Sequence, residues 1–207
     1  MTTVGIINYG AGNIRSIENA FDHIGARTQL VSAEADFDQV THLVLPGVGS
    51  FAFCRRRLEE SGLVPKLEDW ALAQKKPLLG ICVGMQLLAQ YSEEHGRHEG
   101  LGWIEGRVLA LSEGDRRARV PHVGWNDITF ATDFGRFAEG SQIDFYFDHS
   151  YALFDADPGQ IVASCDHGAQ FTVLVQRDNI VASQFHPEKS QDAGLDLIRG
   201  FLEGGTC

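Results

Sequence analysis

The 207-residue sequence contains no long apolar run and no basic segment at its start. A membrane-spanning helix needs about 20 predominantly apolar residues, and a signal peptide begins with a positively charged segment. We therefore expect neither a membrane span nor a signal peptide.

Cysteine is also scarce, with four residues at positions 54, 82, 165 and 207 and no C-x-x-C pair. Such pairs are typical of zinc ribbons, and regular cysteine spacing is typical of disulfide frameworks, so neither is expected. His95 and His98 lie close together, but Gly96 and the polar residues around them predict an exposed loop. We expect no metal site and no cofactor, and the scattered thiols fit a reducing cytoplasm.

Positive charge is in the minority, because 17 Lys and Arg face 28 Asp and Glu, for a formal net charge of -11. An acidic surface argues against nucleic acid as the main partner. Two basic runs occur, at 55–57 and 116–119. Each predicts a solvated face or a contact with a protein partner.

Hydrophobic periodicity predicts alternating strands and helices in the first half. The predicted strands are 4–8, 29–32, 42–45 and 77–81, and the predicted helices are 13–24, 51–60, 64–74 and 83–90. Such alternation predicts a mostly parallel sheet with helices on both faces. The second half predicts short strands at 108–111, 127–130, 143–147, 160–164, 171–176 and 180–185, then a helix at 194–202. With no linker or repeat, we expect one α/β domain over residues 1–207.

One glycine-rich segment, G-A-G-N at 10–13, follows a predicted strand and precedes a predicted helix. A dinucleotide-binding fingerprint needs a third glycine, but Ser16 and Ile17 occupy the region where it would lie. We do not expect NAD to bind.

Cys82 lies where the predicted strand 77–81 meets the following helix, between Gly80 and Gly84. The pattern G-x-C-x-G is the thiol counterpart of the nucleophile elbow, in which small neighbours permit a strained turn. A helix N-terminus favours an anion, and the thiolate is the reactive form of cysteine. The alternative is a small buried apolar residue, as most free cysteines are.

A base and a carboxylate follow far along the chain, in His186-Pro187-Glu188. In an extended segment, residues two apart lie on one face, so His186 and Glu188 can address one site. A carboxylate beside an imidazole fixes its tautomer and stabilises the imidazolium. Alone, these residues would suit a surface ion pair, but together with Cys82 they predict a nucleophilic catalytic site.

A second glycine-rich loop, L-P-G-V-G-S-F at 45–51, follows the predicted strand 42–45. Acyl transfer needs N–H donors aimed at the developing oxyanion. We expect these donors from the backbone of Gly47, Val48 and Gly49 and from the N–H of Val83. An ordinary strand-to-helix turn is the alternative.

As a set, these motifs resemble those of glutamine amidotransferases with a Cys-His-Glu triad. More narrowly, they are similar to the glutaminase subunits of imidazole glycerol phosphate synthase, which serve histidine biosynthesis. The shared segments span nearly the whole chain: N-Y-G-A-G-N at 8–13, L-P-G-V-G-S-F at 45–51, G-I-C-V-G-M-Q at 80–86, G-L-G-W-I-E-G at 100–106, P-H-V-G-W-N at 121–126, H-S-Y at 149–151 and Q-F-H-P-E-K-S at 184–190.

The resemblance implies a flavodoxin-like fold and hydrolysis of glutamine through a γ-glutamyl thioester on Cys82. His186 would be the base and Glu188 its orienting carboxylate. It also implies that glutamine is held by Gly49, Gln86, Ser150 and Tyr151, and that the oxyanion is met by Val48 and Val83.

The resemblance further implies a heterodimer with a synthase subunit of barrel fold, to which ammonia passes through a closed interface. The matching interface positions are Asn13, Trp125, Asn126 and Lys189. The alternative for Trp125 is a half-buried core residue, and the alternative for Lys189 is a solvated cation. One departure is Asp148, where similar chains carry an apolar residue.

Three other functions remain open on sequence alone. The first is a glutaminase for another ammonia acceptor, such as an amidino-sugar synthase. The second is a cysteine hydrolase of the peptidase or deglycase kind, against which the H-P-E segment and the P-G-V-G loop argue. The third is a non-catalytic module, which would not need Cys82, His186 and Glu188 together.

Overall fold

The computed structural model describes residues 2–113 and 119–204, and in the first half strands and helices alternate as predicted. The strands are β1 (Thr3–Ile7), β2 (Arg27–Val31), β3 (His42–Leu45) and β4 (Leu78–Ile81). The helices are α1 (Ile14–His23), α2 (Phe51–Glu60), α3 (Val64–Glu68), which continues into a π-helical turn at Asp69–Ala73, and α4 (Val83–Leu88).

The second half is rich in strands. They are β5 (Tyr91–Ser92), β6 (His98–Glu99), β7 (Arg107–Ala110), β8 (His122–Phe130), β9 (Gln142–His149), β10 (Tyr151–Phe154), β11 (Ile161–Asp166), β12 (Gln170–Arg177) and β13 (Ile180–Ser183). Helix α5 (Gln191–Leu202) follows. Short 3-10 helices lie at Glu34–Gln39, Leu111–Glu113, Pro158–Gln160 and Pro187–Lys189.

All these strands belong to one sheet. Its centre, in the order β2-β1-β3-β4-β13, is parallel throughout. Beyond β13 the neighbours β12, β10 and β7 run antiparallel, and β11, β8 and β9 branch from β12 as a second antiparallel series. The predicted α/β fold, with a parallel core and antiparallel additions in the second half, is confirmed.

The core lies around the parallel strands. β4 and β13 are buried along their whole length, as expected of strands covered on both sides. Helix α1 packs against α5, while α2 packs against α4. The carboxyl ends of β3, β4 and β13 lie at one edge of the sheet, where ligand sites of α/β proteins form.

The β8–β9 pair extends from the edge of this core and alternates between buried and exposed residues. Its register sets His122 opposite His149 and Trp125 opposite Tyr146. The first pair is buried, whereas Trp125 is exposed. One face of the hairpin therefore contributes to the interior, and the other is open to solvent.

Several predicted bounds were wrong. β8 begins at His122 rather than at 127, and α5 begins at Gln191 rather than at 194. No strand was predicted at β5, β6 or β10. β5 and β6 have two residues each, which are too few for a clear periodicity. His95 is exposed as expected, but His98 lies half-buried in β6 rather than in an exposed loop.

The basic run at 55–57 lies on α2, where its arginines form ion pairs with Glu59 and Glu60 at 3.5–3.8 Å. This matches the solvated-face alternative. In the second run, Arg116, Arg117 and Ala118 lie outside the described residues, as does Cys207. No helix within 2–113 or 119–204 combines the length and apolarity that crossing a membrane requires.

Candidate active site

Cys82 occupies a strained corner between β4 and α4. Its φ of 55° is positive, which is rare for a residue with a side chain, and the residue is only 4% exposed. A Cβ on Gly84 would lie 1.9 Å from the carbonyl oxygen of Leu45, so only glycine fits there. The elbow predicted from G-x-C-x-G is therefore present, and the glycine permits close approach of β3.

The sheet brings the distant histidine to this corner. β4 and β13 are parallel neighbours, with Ile81 opposite Ser183. The ladder continues one step further, because the N–H of Cys82 donates to the carbonyl oxygen of Ser183 at 2.7 Å. Three residues beyond Ser183, His186 lies at the same edge of the sheet, and it lines the same cleft as Cys82.

His186 and Glu188 form a buried pair. The His186 Nδ1 lies 2.8 Å from the Glu188 Oε1, and the two side chains are 3% and 1% exposed. Burial lowers the pKa of His186, but the interactions with Cys82 and Glu188 outweigh burial and raise that pKa above its ordinary value. The ring is thus suited to hold a proton. Cys82 and His186 line one cleft and Glu188 bonds the same ring, while their catalytic roles stay a prediction.

The backbone around His186 holds this geometry. The His186 N–H donates to the carbonyl oxygen of Tyr146 at 2.9 Å, and the Ser190 hydroxyl donates to the His186 carbonyl oxygen at 2.6 Å. Ser190 also accepts the N–H of Tyr146 at 3.0 Å. Strand β9 and the turn after β13 therefore fix the base in place.

A cleft of about 280 Å³ opens over the nucleophile. Of the residues predicted to bind substrate, it is lined by Val48, Gly49, Val83, Gln86, Ser150 and Tyr151, together with Cys82 and His186. Gly47 does not line it. A Cβ there would lie 2.8 Å from the Cβ of Val83 and 2.6 Å from the N of Gly84, so Gly47 lets the loop pack on α4. A role for its N–H stays a prediction.

Two buried side chains fix the loop at 46–49 by hydrogen bonds to its carbonyl oxygens. The Tyr9 hydroxyl donates to the Pro46 carbonyl oxygen at 2.5 Å, and the Cys54 Sγ donates to the Val48 carbonyl oxygen at 3.4 Å. Burial raises the pKa of Tyr9, and it raises the pKa of the Cys54 thiol to about 11, so both groups stay neutral donors. Gly49, with φ of 110°, adopts a backbone conformation that favours glycine.

Gln86 is fixed inside the cleft wall. Its Nε2 donates to the Tyr151 carbonyl oxygen at 2.9 Å and to the Gln184 Oε1 at 3.0 Å. Gln184 in turn points its own Nε2 toward the Cys82 Sγ, at 3.8 Å. Gln86 therefore connects two sides of the site.

The predicted interface residues differ in their surroundings. Trp125 is 48% exposed and Asn13 is exposed at the start of α1, so both are open to a partner. Lys189 lines the cleft 3.9 Å from Asp148, which is half-exposed. The side chain of Asn126 points inward instead, toward His122, Cys165 and the Asp166 carbonyl oxygen.

Sequence reasoning missed three residues of the site: Glu94, His149 and Gln184. Glu94 lines the cleft and accepts the Phe51 N–H at the start of α2 at 2.6 Å. His149 also lines the cleft, although it belongs to the H-S-Y segment that was singled out. Gln184 directly precedes the F-H-P-E segment, and its alternation with His186 was the signal that could have identified it.

Within the part of the chain that the structure describes, no cluster of three or more His, Cys, Asp or Glu residues has the arrangement of a metal site. The groups that line or reach the cleft are a sulfur, an imidazole, a carboxylate and backbone N–H groups. Together these groups suit covalent acyl transfer through a thioester.

Comparison with known proteins agrees with this class of chemistry. The family model described as glutamine amidotransferase class-I matches residues 5–203. A crystal structure titled glutamine amidotransferase superposes with a TM-score of 0.77 at 22% identity, covering 98% of both chains. The PurLQS structure from Thermotoga maritima gives a TM-score of 0.75 at 18% identity, with the same coverage. These structures share the fold.

Closer relatives exist among characterised sequences. The imidazole glycerol phosphate synthase subunit HisH of Zymomonas mobilis is 45% identical over 206 residues, covering 98% of this chain and 96% of the relative. The subunit of the same name from Rhodospirillum rubrum is 46% identical over 209 residues, covering 96% and 97%. The chain belongs to the class-I glutamine amidotransferase family, within its group of HisH subunits.

Proposed function

We propose that this protein hydrolyses glutamine as the glutaminase subunit of imidazole glycerol phosphate synthase, in histidine biosynthesis. The observation that carries the proposal is that Cys82 and His186 line one cleft, while the buried Glu188 bonds the Nδ1 of the same imidazole. The relatives of the HisH group support the same activity. We also propose that residues 1–207 act as one amidotransferase domain, supported by the single sheet and by the family match over 5–203.

Acylation begins when the Cys82 sulfur attacks the side-chain carboxamide carbon of glutamine, its proton resting on His186. The negative charge that develops on the carbonyl oxygen is met by the N–H of Val83 and an N–H of the loop containing Val48 and Gly49. The C–N bond then breaks, the nitrogen leaves with the proton from His186 as ammonia, and a γ-glutamyl thioester remains on Cys82.

Deacylation reverses the role of the base. His186 takes a proton from water, the resulting hydroxide attacks the thioester carbon, and the C–S bond breaks to give glutamate and free Cys82. Glu188 holds the imidazole through Nδ1 and stabilises its charged form in both steps. Burial of the pair keeps solvent from replacing this hydrogen bond.

The ammonia acceptor is a synthase subunit, which we propose to be a barrel-fold partner in a heterodimer. Free ammonia protonates and escapes in water, so transfer needs a closed passage between the subunits. The exposed Trp125 and the cleft-lining Lys189, which both contact Tyr146, support docking beside the cleft, and Asn13 is exposed as well. Trp and Tyr are enriched at such contacts. A cytoplasmic location stays a prediction.

An ammonia-bypass experiment tests the proposal in the complex with the synthase subunit. Cys82→Ala is expected to abolish synthesis of imidazole glycerol phosphate from glutamine while leaving synthesis from added ammonium salt intact. The ammonium reaction is the matched control, since it uses the same complex without the thiol. Loss of both reactions together would contradict the ammonia-supply role. Glutamine hydrolysis without stimulation by this synthase would assign another acceptor, such as an amidino-sugar synthase.

A further inference from the structure

A line of hydrogen bonds runs from β8 into the wall of the cleft. The Asn126 Nδ2 lies 3.2 Å from the His122 Nε2, and the His122 Nδ1 lies 3.0 Å from the His149 Nε2. The His149 Nδ1 lies 2.9 Å from the Tyr151 carbonyl oxygen. We call Asn126, His122, His149 and the Tyr151 carbonyl the histidine relay.

Both ends of the histidine relay fix the direction of donation. The Asp127 N–H donates to the Asn126 Oδ1 at 3.0 Å, so the Nδ2 is the end that faces the Asp166 carbonyl oxygen, the Cys165 Sγ and the His122 Nε2. An amide nitrogen donates and does not accept, so the His122 Nε2 is an acceptor. At the other end, a carbonyl oxygen can only accept, so the His149 Nδ1 carries a proton. The bond between the two rings fits both of these ends only if the His122 Nδ1 donates to the His149 Nε2.

This arrangement requires both rings to be neutral with the proton on Nδ1. Burial is the first reason that the pKa of His122 falls to about 3 and that of His149 to about 4, and the neighbouring histidines lower both further. His122 is stacked between Phe147, at 4.4 Å between ring centroids, and His167, at 4.0 Å. The stack leaves the ring little freedom to turn away from its partners.

The histidine relay ends on the atom that holds Gln86. The Tyr151 carbonyl oxygen accepts from both the His149 Nδ1 and the Gln86 Nε2. Gln86 continues to Gln184, whose Nε2 faces the Cys82 sulfur. The rings of His122 and His149 thus support the strand from which Ser150 and Tyr151 line the cleft.

We propose that His122 and His149 are positioning residues. Because donation along the histidine relay runs in one direction, they hold the Tyr151 carbonyl, and through it Gln86, in the position that binds glutamine. This inference rests on the proposed function for the identity of the substrate.

The tautomers can be measured directly on the full chain. In ¹⁵N-labelled protein at pH 7, two-bond proton–nitrogen correlations of the rings are expected to show His122 and His149 neutral and protonated on Nδ1. Protonation on Nε2 in either ring, or a cationic ring, would overturn the proposal. This readout needs no variant, so it does not depend on whether a substitution folds.

Reversal of one donor is the sharpest variant. Asn126→Asp keeps the shape but replaces the donor with an acceptor, so the His122 Nε2 is expected to carry a proton, in either a neutral ring or an imidazolium. Asp127→Asn is the matched control, because it changes the charge by one unit at the adjacent, exposed residue. A proton on the His122 Nε2 is expected in Asn126→Asp alone, and an Nε2 without a proton in that variant would contradict the histidine relay.

Kinetics in the complex with the synthase subunit separate positioning from stability. His149→Phe and His122→Phe are expected to raise KM for glutamine about two- to tenfold, the loss of one net hydrogen bond, while synthesis from ammonium is unchanged. His167→Phe is the control, because it keeps the ring stack on His122 outside the relay. An unchanged KM would overturn the proposal. Absence of glutaminase activity in the wild-type complex would instead overturn the proposed function.

Discussion

The backbone N–H of Cys82 donates to the carbonyl oxygen of Ser183 at 2.7 Å, which extends the β4–β13 ladder by one step beyond the strands. This bond sets the nucleophile beside the segment that carries its base. Because the two strands are parallel neighbours, the residues that follow them meet at one edge of the sheet. Residues about a hundred positions apart in sequence are thus fixed relative to each other by the most buried part of the fold.

Removal of the orienting charge tests the role of Glu188. Glu188→Gln is expected to lower kcat for glutamine hydrolysis roughly 10³- to 10⁴-fold, because the imidazole loses both its preferred tautomer and the stabilisation of its charged form. The pKa of His186, raised in part by Glu188, is expected to fall, which NMR titration of the ring measures. Asp192→Asn removes an exposed charge nearby and serves as control. An unchanged His186 pKa would contradict the assignment.

The tight elbow makes a stability prediction. Gly84→Ala is expected to reduce the free energy of unfolding by about 1–3 kcal/mol, since its methyl group would overlap the Leu45 carbonyl oxygen. Gly159→Ala, in a turn where the added carbon meets only the Asp157 carboxylate at 3.4 Å, is the matched control with little expected change. Denaturant titration of both variants measures the difference. Equal stabilities would show that the elbow tolerates a side chain.

Acid should weaken the fold through the buried histidines. The pKa values of His122 and His149 are lowered on folding, so below the unfolded value of about 6.5 the unfolded chain binds protons that the folded chain does not. Each ring therefore reduces stability by up to about 1.4 kcal/mol per pH unit between pH 6.5 and its folded pKa. His186, whose pKa is raised, has the opposite effect on stability. It is present both in the wild type and in the His149→Phe variant compared below, so it does not affect their difference.

A comparison of slopes isolates this contribution. Between pH 7 and pH 5, the free energy of unfolding of the wild-type chain is expected to fall more steeply than that of His149→Phe. Urea denaturation at each pH gives both curves. Parallel curves would indicate that the rings are charged in the folded protein.

Local patterns sufficed to predict the triad and the parallel core. Cys82 is marked by its flanking glycines, and His186 and Glu188 by the H-P-E segment, so each lies in a motif of a few residues. The extended chain expected at 186–188 was wrong, because Glu188 lies in the 3-10 helix Pro187–Lys189. β3 and α2 were predicted with their observed bounds, 42–45 and 51–60. These features depend on neighbours in sequence.

The remaining features depend on register between distant strands. His122 meets His149 only because β8 and β9 pair in one particular alignment, and no local pattern around either histidine specifies it. The partner of the Asn126 amide, the Asp166 carbonyl oxygen, likewise comes from a distant strand, β11. The two-residue strands β5 and β6 are stabilised by pairing with each other and with β7, not by their own composition.

Selective labelling of the nucleophile is the most direct measurement of the central claim, that Cys82 is the activated thiol. Incubation of the complex with a glutamine-like diazo-ketone, followed by intact mass and peptide mapping, is expected to give one adduct, on Cys82. Cys54 and Cys165 are the internal controls, since burial raises the pKa of both thiols, to about 11 and about 12. An unmodified Cys82 in the presence of the synthase subunit, or an adduct on Cys54 or Cys165 instead, would contradict the account.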